Sequence, residues 1–205
     1  MKRTGALTLL LLPALGLAQS VAEEPSYHYL EMGLVDVDLD APGQNLGGDG
    51  YQFEYSVEVR DHVHLFGAYE TFEIDDVDGD GARKLLGIGA HFNPLEKLSV
   101  FGRVAYTDVD LDVGIGNVGD DGVSAIGGVR YLIGDGWEIR GGAEYVTLDQ
   151  GGSDTFATVG GDFYLTDVVA LTLDVDDRNG TTVAMLGFRF YFDNDPGSSR
   201  SRRRR

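Results

Sequence analysis

Residues 30–40, LEMGLVDVDLD, alternate in polarity, but the apolar residues change from the even to the odd positions half way along. The even positions begin apolar and end acidic: Leu30, Met32, Leu34, Asp36, Asp38 and Asp40. A β-strand directs alternate side chains to the same face. The pattern therefore predicts a single strand whose face passes from an apolar to an aqueous environment without a change of register.

Three other predicted strands, at residues 63–75, 98–113 and 137–149, show the same change. On each, one face is apolar at first and polar beyond a tyrosine: Tyr69, Tyr106 and Tyr145. Tyrosine is favoured where hydrocarbon meets water, because its ring is apolar and its hydroxyl is hydrated. Strands that cross a membrane and continue into water explain the pattern. Above the membrane, the inward face would carry a small apolar core: Val35, Val37, Leu39, Phe72, Ile74, Val109 and Leu111.

Ten runs of alternating residues are predicted to be strands: 27–40, 50–59, 63–75, 84–93, 98–113, 123–133, 137–149, 155–165, 168–176 and 181–192. Short polar turns alternate with longer connections rich in Gly and Asp: residues 41–50, 76–83, 114–122, 150–154 and 177–180. This pattern is typical of an all-β fold, an antiparallel up-and-down transmembrane β-barrel. An even strand number puts both termini at the short-turn end. Eight strands remain an alternative, because strand boundaries are hard to place from sequence.

A second aromatic girdle is predicted at the short-turn end, where the outward faces of the descending strands finish in aromatic residues: Phe92, Tyr131, Phe163 and Phe192. The main alternative is a soluble, lipocalin-like barrel with its apolar face inside, since alternation alone does not distinguish the two faces. The two girdles and the change of face along the strands favour the membrane barrel.

The complementary face is charged where it would cross the membrane, and it predicts an ion-pair network inside the barrel. Its members are Glu31, Glu54, Glu58, Glu70, Arg103, Arg130, Glu138, Arg140, Glu144, Asp162 and Arg189. Charges in a narrow lumen must pair or be hydrated, and each guanidinium can bind carboxylates through two hydrogen bonds. The network either plugs the lumen or lines a narrow channel, and the excess of acids would then favour cations.

The composition is that of one globular domain, with 205 residues of which 42% are hydrophobic and 24% charged. Lys2, Arg3 and the apolar run 6–17 predict a signal peptide at residues 1–22, with cleavage after Ala22 or Ala18. The predicted barrel, residues 23–192, holds 9 basic and 32 acidic residues and would repel nucleic acid phosphates. Residues 193–205 form an Arg-rich tail, expected in the periplasm. The absence of Cys excludes disulfides.

Residues 76–81, DVDGDG, match the start of a calcium-binding loop, in which Asp76, Asp78 and Asp80 would supply oxygen ligands. The twelfth position is Gly87 rather than the usual Glu, so a solvated acidic loop is the competing interpretation. All histidines fall at the predicted short-turn end: His28, His62, His64 and His91. A His–Asp catalytic pair at the opposite rim is therefore not expected, and neither an enzymatic activity nor a tightly bound cofactor is predicted.

Glycine and aromatic residues recur in the strands LLGIGAHF, AIGGVRYL and MLGFRFYF, and the last strand ends in an aromatic residue. In these features the chain, over Ser26–Phe192, resembles the small outer-membrane β-barrels of Gram-negative bacteria, the OmpA/OmpX-like and opacity-type group. It departs from them in one respect, because 13 residues follow Phe192 whereas the terminal aromatic residue of the family is usually the last.

The resemblance implies a location in the cell outer membrane, contact with its lipids and lipopolysaccharide, and insertion by the barrel-assembly machinery, which recognises the last strand. A monomer without nucleic acid partners is expected. The predicted function is a structural or surface-interaction role in which acidic loops hold divalent cations loosely beside lipopolysaccharide phosphates. The alternative is a narrow, cation-preferring, porin-like channel.

Overall fold

The computed structural model describes residues 24–41, 44–74, 79–112, 117–134, 136–178 and 181–192. They form ten strands: β1 Tyr29–Ala41, β2 Gln44–Arg60, β3 Val63–Ile74, β4 Gly79–Leu95, β5 Leu98–Asp112, β6 Asn117–Ile133, β7 Trp137–Leu148, β8 Gly152–Thr166, β9 Val169–Arg178 and β10 Thr181–Tyr191. Each strand pairs antiparallel with the next along the chain, and β10 pairs with β1 to close the barrel. The prediction of ten strands is confirmed over the eight-strand alternative. The described residues contain no helix long and apolar enough to cross a membrane.

The barrel wall is apolar outside and charged inside. Leu34 is 73% exposed on the outer face, and the neighbouring inward residue Glu31 is 2% exposed. The same contrast separates the outward Val104 from the buried Glu138. A soluble barrel with an apolar interior is thereby excluded, because the period-two alternation of each strand puts its charged set into the lumen.

Aromatic side chains ring the outer wall at both ends of this apolar belt. Tyr69, Tyr106 and Tyr145 are exposed at the end where the acidic residues begin, as predicted. The second girdle lies at the end that carries Tyr29 and Tyr191, which we call the periplasmic end, and the opposite end the extracellular end. Its members include Phe92, Tyr131, Trp137, Phe163 and Phe192.

The strands continue through segments that were predicted to be long loops, and that prediction is wrong. Strand β2 begins at Gln44, β4 at Gly79 and β6 at Asn117, so most of each predicted loop is strand. Gly and Asp have low strand propensity, but pairing to neighbouring strands overrides it. At Gly50 the absence of a side chain is required, since a Cβ atom would lie 1.9 Å from the carbonyl oxygen of Thr71.

Beyond the tyrosine girdle, the wall of the barrel is polar outside and apolar inside. Val35, Val37, Val183 and Met185 form a buried apolar cluster inside the extracellular end of the barrel, and Phe72 packs against it. The predicted small core above the membrane is therefore present at Val35, Val37 and Phe72, while the side chain of Leu39 lies outside the described residues. Outside this cluster the wall carries exposed carboxylates such as Asp36.

The Val104→Arg substitution is expected to impair assembly of the barrel, because a cation near the middle of a lipid-facing belt costs roughly 2–4 kcal/mol. Asp36→Arg, on the outer face beyond the belt, is expected to assemble normally. The folded fraction is measured from the faster gel migration of unheated than of boiled protein. Equal loss of the folded form in both variants would contradict the position of the belt.

Candidate functional site: the barrel lumen

Six arginines enter the lumen and pair with eight carboxylates within the described residues. The arginines are Arg83, Arg103, Arg130, Arg140, Arg178 and Arg189. Their partners are Glu31, Glu54, Glu70, Glu138, Glu144, Asp162, Asp174 and Asp176. Ten of the eleven residues in the predicted network are in this set. The eleventh is Glu58.

The most deeply buried pair joins Arg130 on β6 to Glu138 on β7. Arg130 Nε donates to Glu138 Oε1 at 2.6 Å and Nη2 donates to Oε2 at 3.1 Å. The side chains are 3% and 0% exposed. Tyr164 adds a hydrogen bond to Glu138 Oε2 at 3.1 Å. Two-point contact is the geometry in which a guanidinium best offsets the desolvation of a buried carboxylate.

Asp162 is the junction of several ion pairs of the network. Arg189 Nη1 donates to its Oδ2 at 2.9 Å, Tyr191 donates to the same oxygen at 3.1 Å, and Arg140 binds Oδ1. Arg189 Nε also reaches Glu31 Oε2 at 2.6 Å, and Arg140 Nε reaches Asp174 Oδ1 at 2.8 Å. The side chain of Asp162 is fully buried. These bonds link β1, β7, β8, β9 and β10 across the lumen.

Arg103 on β5 binds residues on β1, β2 and β3. Its Nη1 donates to Glu54 Oε1 at 2.9 Å, its Nη2 to the Tyr29 hydroxyl at 2.8 Å, and its Nε to His64 Nε2 at 3.2 Å. Tyr29 in turn donates to Glu54 Oε1 at 2.6 Å. Because His64 Nε2 accepts a hydrogen bond, its ring proton lies on Nδ1.

Tyr27 lies inside the periplasmic end of the barrel, against β2–β6. Its side chain is completely buried, and its ring stacks on His91 at 4.0 Å and on His64 at 4.7 Å between centroids. The Tyr27 hydroxyl is 2.9 Å from Ser99 Oγ. The guanidinium of Arg130 also packs against Tyr27, with its Cζ 4.8 Å from the ring centroid.

The backbone around Tyr27 is also bound to the wall. Arg130 Nη1 donates to the Ser26 carbonyl at 2.7 Å, and Ser56 Oγ donates to the Tyr27 carbonyl at 2.7 Å. Residues Ser26 and Tyr27 therefore form a stopper held by β2 and β6. The sequence assigned Tyr27 to the first strand, and alternation gives no signal that its ring turns into the periplasmic end of the barrel.

A second group of ion pairs lies towards the extracellular end. Arg178 donates to Glu70 through Nη1 at 2.7 Å and Nη2 at 2.8 Å, and Nη2 also reaches Asp176 at 2.8 Å. Arg83 pairs with Glu144. Both guanidinium groups lie over the ring of Phe156, at 5.8 and 5.9 Å from its centroid.

The residues that sequence analysis missed lie on β9 and at the start of β4. Along Val169–Arg178, VALTLDVDDR, strict alternation puts Asp174, Asp176 and Arg178 on the same face as the buried Thr172. That alternation was a usable signal. Arg83 was missed because its segment was assigned to a loop.

Glu58 is outside the network, and its assignment to the lumen is corrected. It is exposed near the end of β2, where the pairing with β3 shifts register between Glu58 and Arg60. Its Oε1 accepts a hydrogen bond from the His62 backbone amide at 3.1 Å. Glu58 lies directly opposite the buried His64 and so stays on the inward set of β2, but it is exposed because it lies at the periplasmic rim of the barrel, beyond the arginines of the network.

The candidate calcium ligands are not assembled into a site by the described part of the chain. Asp76 and Asp78 lie outside the described residues, and Asp80 is exposed near the start of β4. Within the described ranges, no group of three or more His, Asp or Glu side chains is placed to hold a metal ion.

The chain is similar to a known family and to several solved structures. The sequence matches the family model described as outer membrane protein beta-barrel domain over residues 7–190. Solved structures of similar fold include Ail, the attachment invasion locus protein of Yersinia pestis, at 14% identity and a TM-score of 0.41, with 80% of this chain and 97% of that chain covered. The N-terminal β-barrel domain of Pseudomonas aeruginosa OprF is similar at 15% identity and a TM-score of 0.45, with 80% and 98% covered. No curated protein matches the sequence significantly.

The Arg130→Ala substitution is expected to lower the free energy of unfolding by about 3–5 kcal/mol, because Glu138 would stay buried without its cation. Arg60→Ala, which removes an exposed arginine at the end of β2, is expected to change it by less than about 0.5 kcal/mol. Urea unfolding in lipid vesicles measures both.

The double substitution Arg130→Met with Glu138→Leu is expected to recover most of that stability, because neither partner of the pair is then left buried without its counterion. If the double variant were as unstable as Arg130→Ala, packing around the pair rather than charge would account for the loss.

Proposed function

Because the chain belongs to the outer membrane protein beta-barrel family and is an integral outer-membrane barrel, we propose that its role is structural and non-enzymatic, with a closed lumen. The observation that carries the proposal is the set of six lumen arginines that are all ion-paired. An ion that crossed the barrel would have to separate buried pairs, and removing one partner from a buried pair costs several kcal/mol.

Three successive barriers support a closed lumen. Tyr27 lies inside the periplasmic end. The ion pairs of Arg140 with Asp174 and of Arg83 with Glu144 lie further along the barrel. The apolar cluster that includes Val35 and Met185 lies at the extracellular end. An ion would lose hydration at each barrier without gaining a replacement ligand.

The outer surface of the extracellular end supports a role in surface interactions. Five carboxylates lie directly opposite one another across β1–β5: Asp36, Asp49, Glu73, Asp80 and Asp112. Directly opposed side chains on antiparallel strands have Cβ atoms about 4.5–5.5 Å apart, where like charges repel. This acidic rim attracts cations, and in this proposal divalent cations gather loosely between the rim and lipopolysaccharide phosphates.

The positions of the histidines support a non-enzymatic role. His62, His64 and His91 lie together at the periplasmic end, with ring centroids 5.3 Å apart for His62–His91 and 5.9 Å for His64–His91. The acidic rim is at the opposite end of the barrel. A histidine base and a rim carboxylate therefore lie too far apart to act together.

The closed wall supports a monomer, because the ten described strands leave no free strand edge for pairing with another chain. Insertion would proceed through the barrel-assembly machinery. The acidic rim would repel nucleic acids.

A narrow cation-preferring channel is the second candidate. Its specific support is a pair of buried hydroxyls, Thr107 Oγ1 and Ser124 Oγ, which have no hydrogen-bond partner among the described residues. Both side chains are completely buried and face the lumen on the adjacent strands β5 and β6. Buried polar groups of this kind are commonly satisfied by internal water. The eight paired carboxylates also outnumber the six arginines.

Planar bilayer recordings distinguish the two candidates. The wild-type barrel is expected to conduct little, and Tyr27→Ala is expected to increase the conductance only slightly, because the ion pairs and the apolar cluster at the extracellular end remain. Tyr145→Ala, a control on the outer face, is expected to leave the conductance unchanged. Large cation-selective currents from the wild type would favour the channel, and large anion-selective currents would contradict both candidates.

A further inference from the structure

The ion pair of Arg83 with Glu144 crosses the lumen in front of two strands. Arg83 is on β4 and Glu144 is on β7, so β5 and β6 lie between them in the wall. The two side chains are 13% and 11% exposed. We call this ion pair the crossing pair. Inward side chains of β5 and β6 that lie behind the crossing pair are enclosed between the wall and two charged groups.

The register of the strands identifies the side chains behind the crossing pair. Its arginine lies directly opposite Val109 on β5, and its glutamate lies directly opposite Ile126 on β6. The straight path from the arginine to the glutamate therefore moves towards the periplasmic end by one inward position on each strand. This path crosses β5 at Thr107 and β6 at Ser124.

These two residues carry hydroxyl groups without a protein partner. Both side chains are completely buried, and neither Thr107 Oγ1 nor Ser124 Oγ has a hydrogen-bond partner within the part of the chain that the structure describes. A buried hydroxyl that makes no hydrogen bond costs its full desolvation penalty, so native proteins keep few of them. Two such groups on adjacent strands point to a ligand that both of them share.

The spacing of the two hydroxyl residues suits one small bridging molecule. Thr107 lies directly opposite Gly122, and Ser124 lies directly opposite Ala105, so the two are diagonal neighbours on the inward face. Diagonal neighbours have Cα atoms about 7–8 Å apart, and their Cβ atoms are somewhat closer. A molecule that makes a hydrogen bond of about 2.8 Å to each oxygen joins oxygens up to about 5.5 Å apart.

The charges around the two hydroxyls favour a neutral ligand. The crossing pair has one positive and one negative group, and the hydroxyls have no charge. A bound cation or anion would therefore leave a net charge in a desolvated site, which is costly. Water is neutral, both donates and accepts hydrogen bonds, and commonly binds about three polar groups where it is buried in a protein.

We propose that an ordered water molecule is bound behind the crossing pair, held by Thr107 Oγ1 and Ser124 Oγ. The inference goes beyond the proposed function, because such a water is compatible with a closed lumen and with a narrow channel. The extracellular half of the lumen is then hydrated in front of β5 and β6 and dry around the apolar cluster that includes Val35 and Met185.

A crystal structure of the full barrel, at a resolution that shows ordered water, tests the proposal directly. Electron density for a water is expected within about 3.2 Å of both hydroxyl oxygens. This density is expected to be lost in Ser124→Ala and in Thr107→Val, which removes the hydroxyl but keeps the shape of the side chain. Clear density for both side chains without a water between them would overturn the proposal.

Urea unfolding of the same variants in lipid vesicles gives an independent test. Each single substitution is expected to lower the folding equilibrium constant about fivefold, the effect of one lost hydrogen bond. The double substitution is expected to lower it by less than the product of the two single effects, because the shared water is already lost. An equilibrium constant that rose in either single variant would show an unpaired hydroxyl and would contradict the bound water, as would two effects that simply multiplied.

Ser56→Ala is the matched control for this coupling. Ser56 is also completely buried, but its Oγ donates to the Tyr27 carbonyl at 2.7 Å at the periplasmic end. Its effect is expected to multiply with that of Ser124→Ala, because the two serines share no partner. A coupling as large as that between Thr107 and Ser124 would contradict a shared water as the cause. Neither test depends on ion flow, so a conducting wild type that showed the bound water would contradict the closed lumen and support the water site.

Discussion

Hydrocarbon offers no hydrogen-bonding partner to a backbone amide or carbonyl, and the rest of this structure depends on that constraint. It requires the wall to close, which the pairing of β1 with β10 achieves. Closure has a second effect, because alternation then directs half of all side chains into a narrow interior. Since the outer set must be apolar, the inner set carries the charges, and these must neutralise one another. The pair of Arg130 and Glu138 is the clearest case, with both side chains almost fully buried.

Long charged side chains occupy this interior only because glycines make space beside them. A Cβ atom at Gly89 would lie 2.3 Å from His64 Nε2 and 2.8 Å from Arg103 Cγ. The lumen is thus packed like a protein core whose large residues are arginines and tyrosines instead of leucines. Directional hydrogen bonds, such as those that converge on Asp162, fix the positions of these side chains. The small cluster at the extracellular end is instead stabilised by apolar contacts.

Alternation was sufficient to predict which side chains face outward, because a period of two is set by the strand itself and not by its neighbours. It placed Val104 outside and Glu138 inside correctly. Strand length was not predictable in the same way, because the Gly- and Asp-rich segments at Gln44 and Gly79 become strands only through pairing with their neighbours. The carboxylate partners of each arginine and the orientation of the Tyr27 ring are set by residues on other strands. Neither is encoded locally.

The stopper has a consequence for the order in which the barrel forms. Tyr27 meets Ser99 from 72 positions away in sequence, Ser26 meets Arg130 from 104, and Glu31 meets Arg189 from 158. Contacts of such large sequence separation form slowly, because a long loop must close before any of them contributes. The contacts of the first strand with the last therefore form late in assembly. In a partly assembled wall the lumen charges face water, and the pair of Glu31 with Arg189 forms only when the seam between β1 and β10 closes.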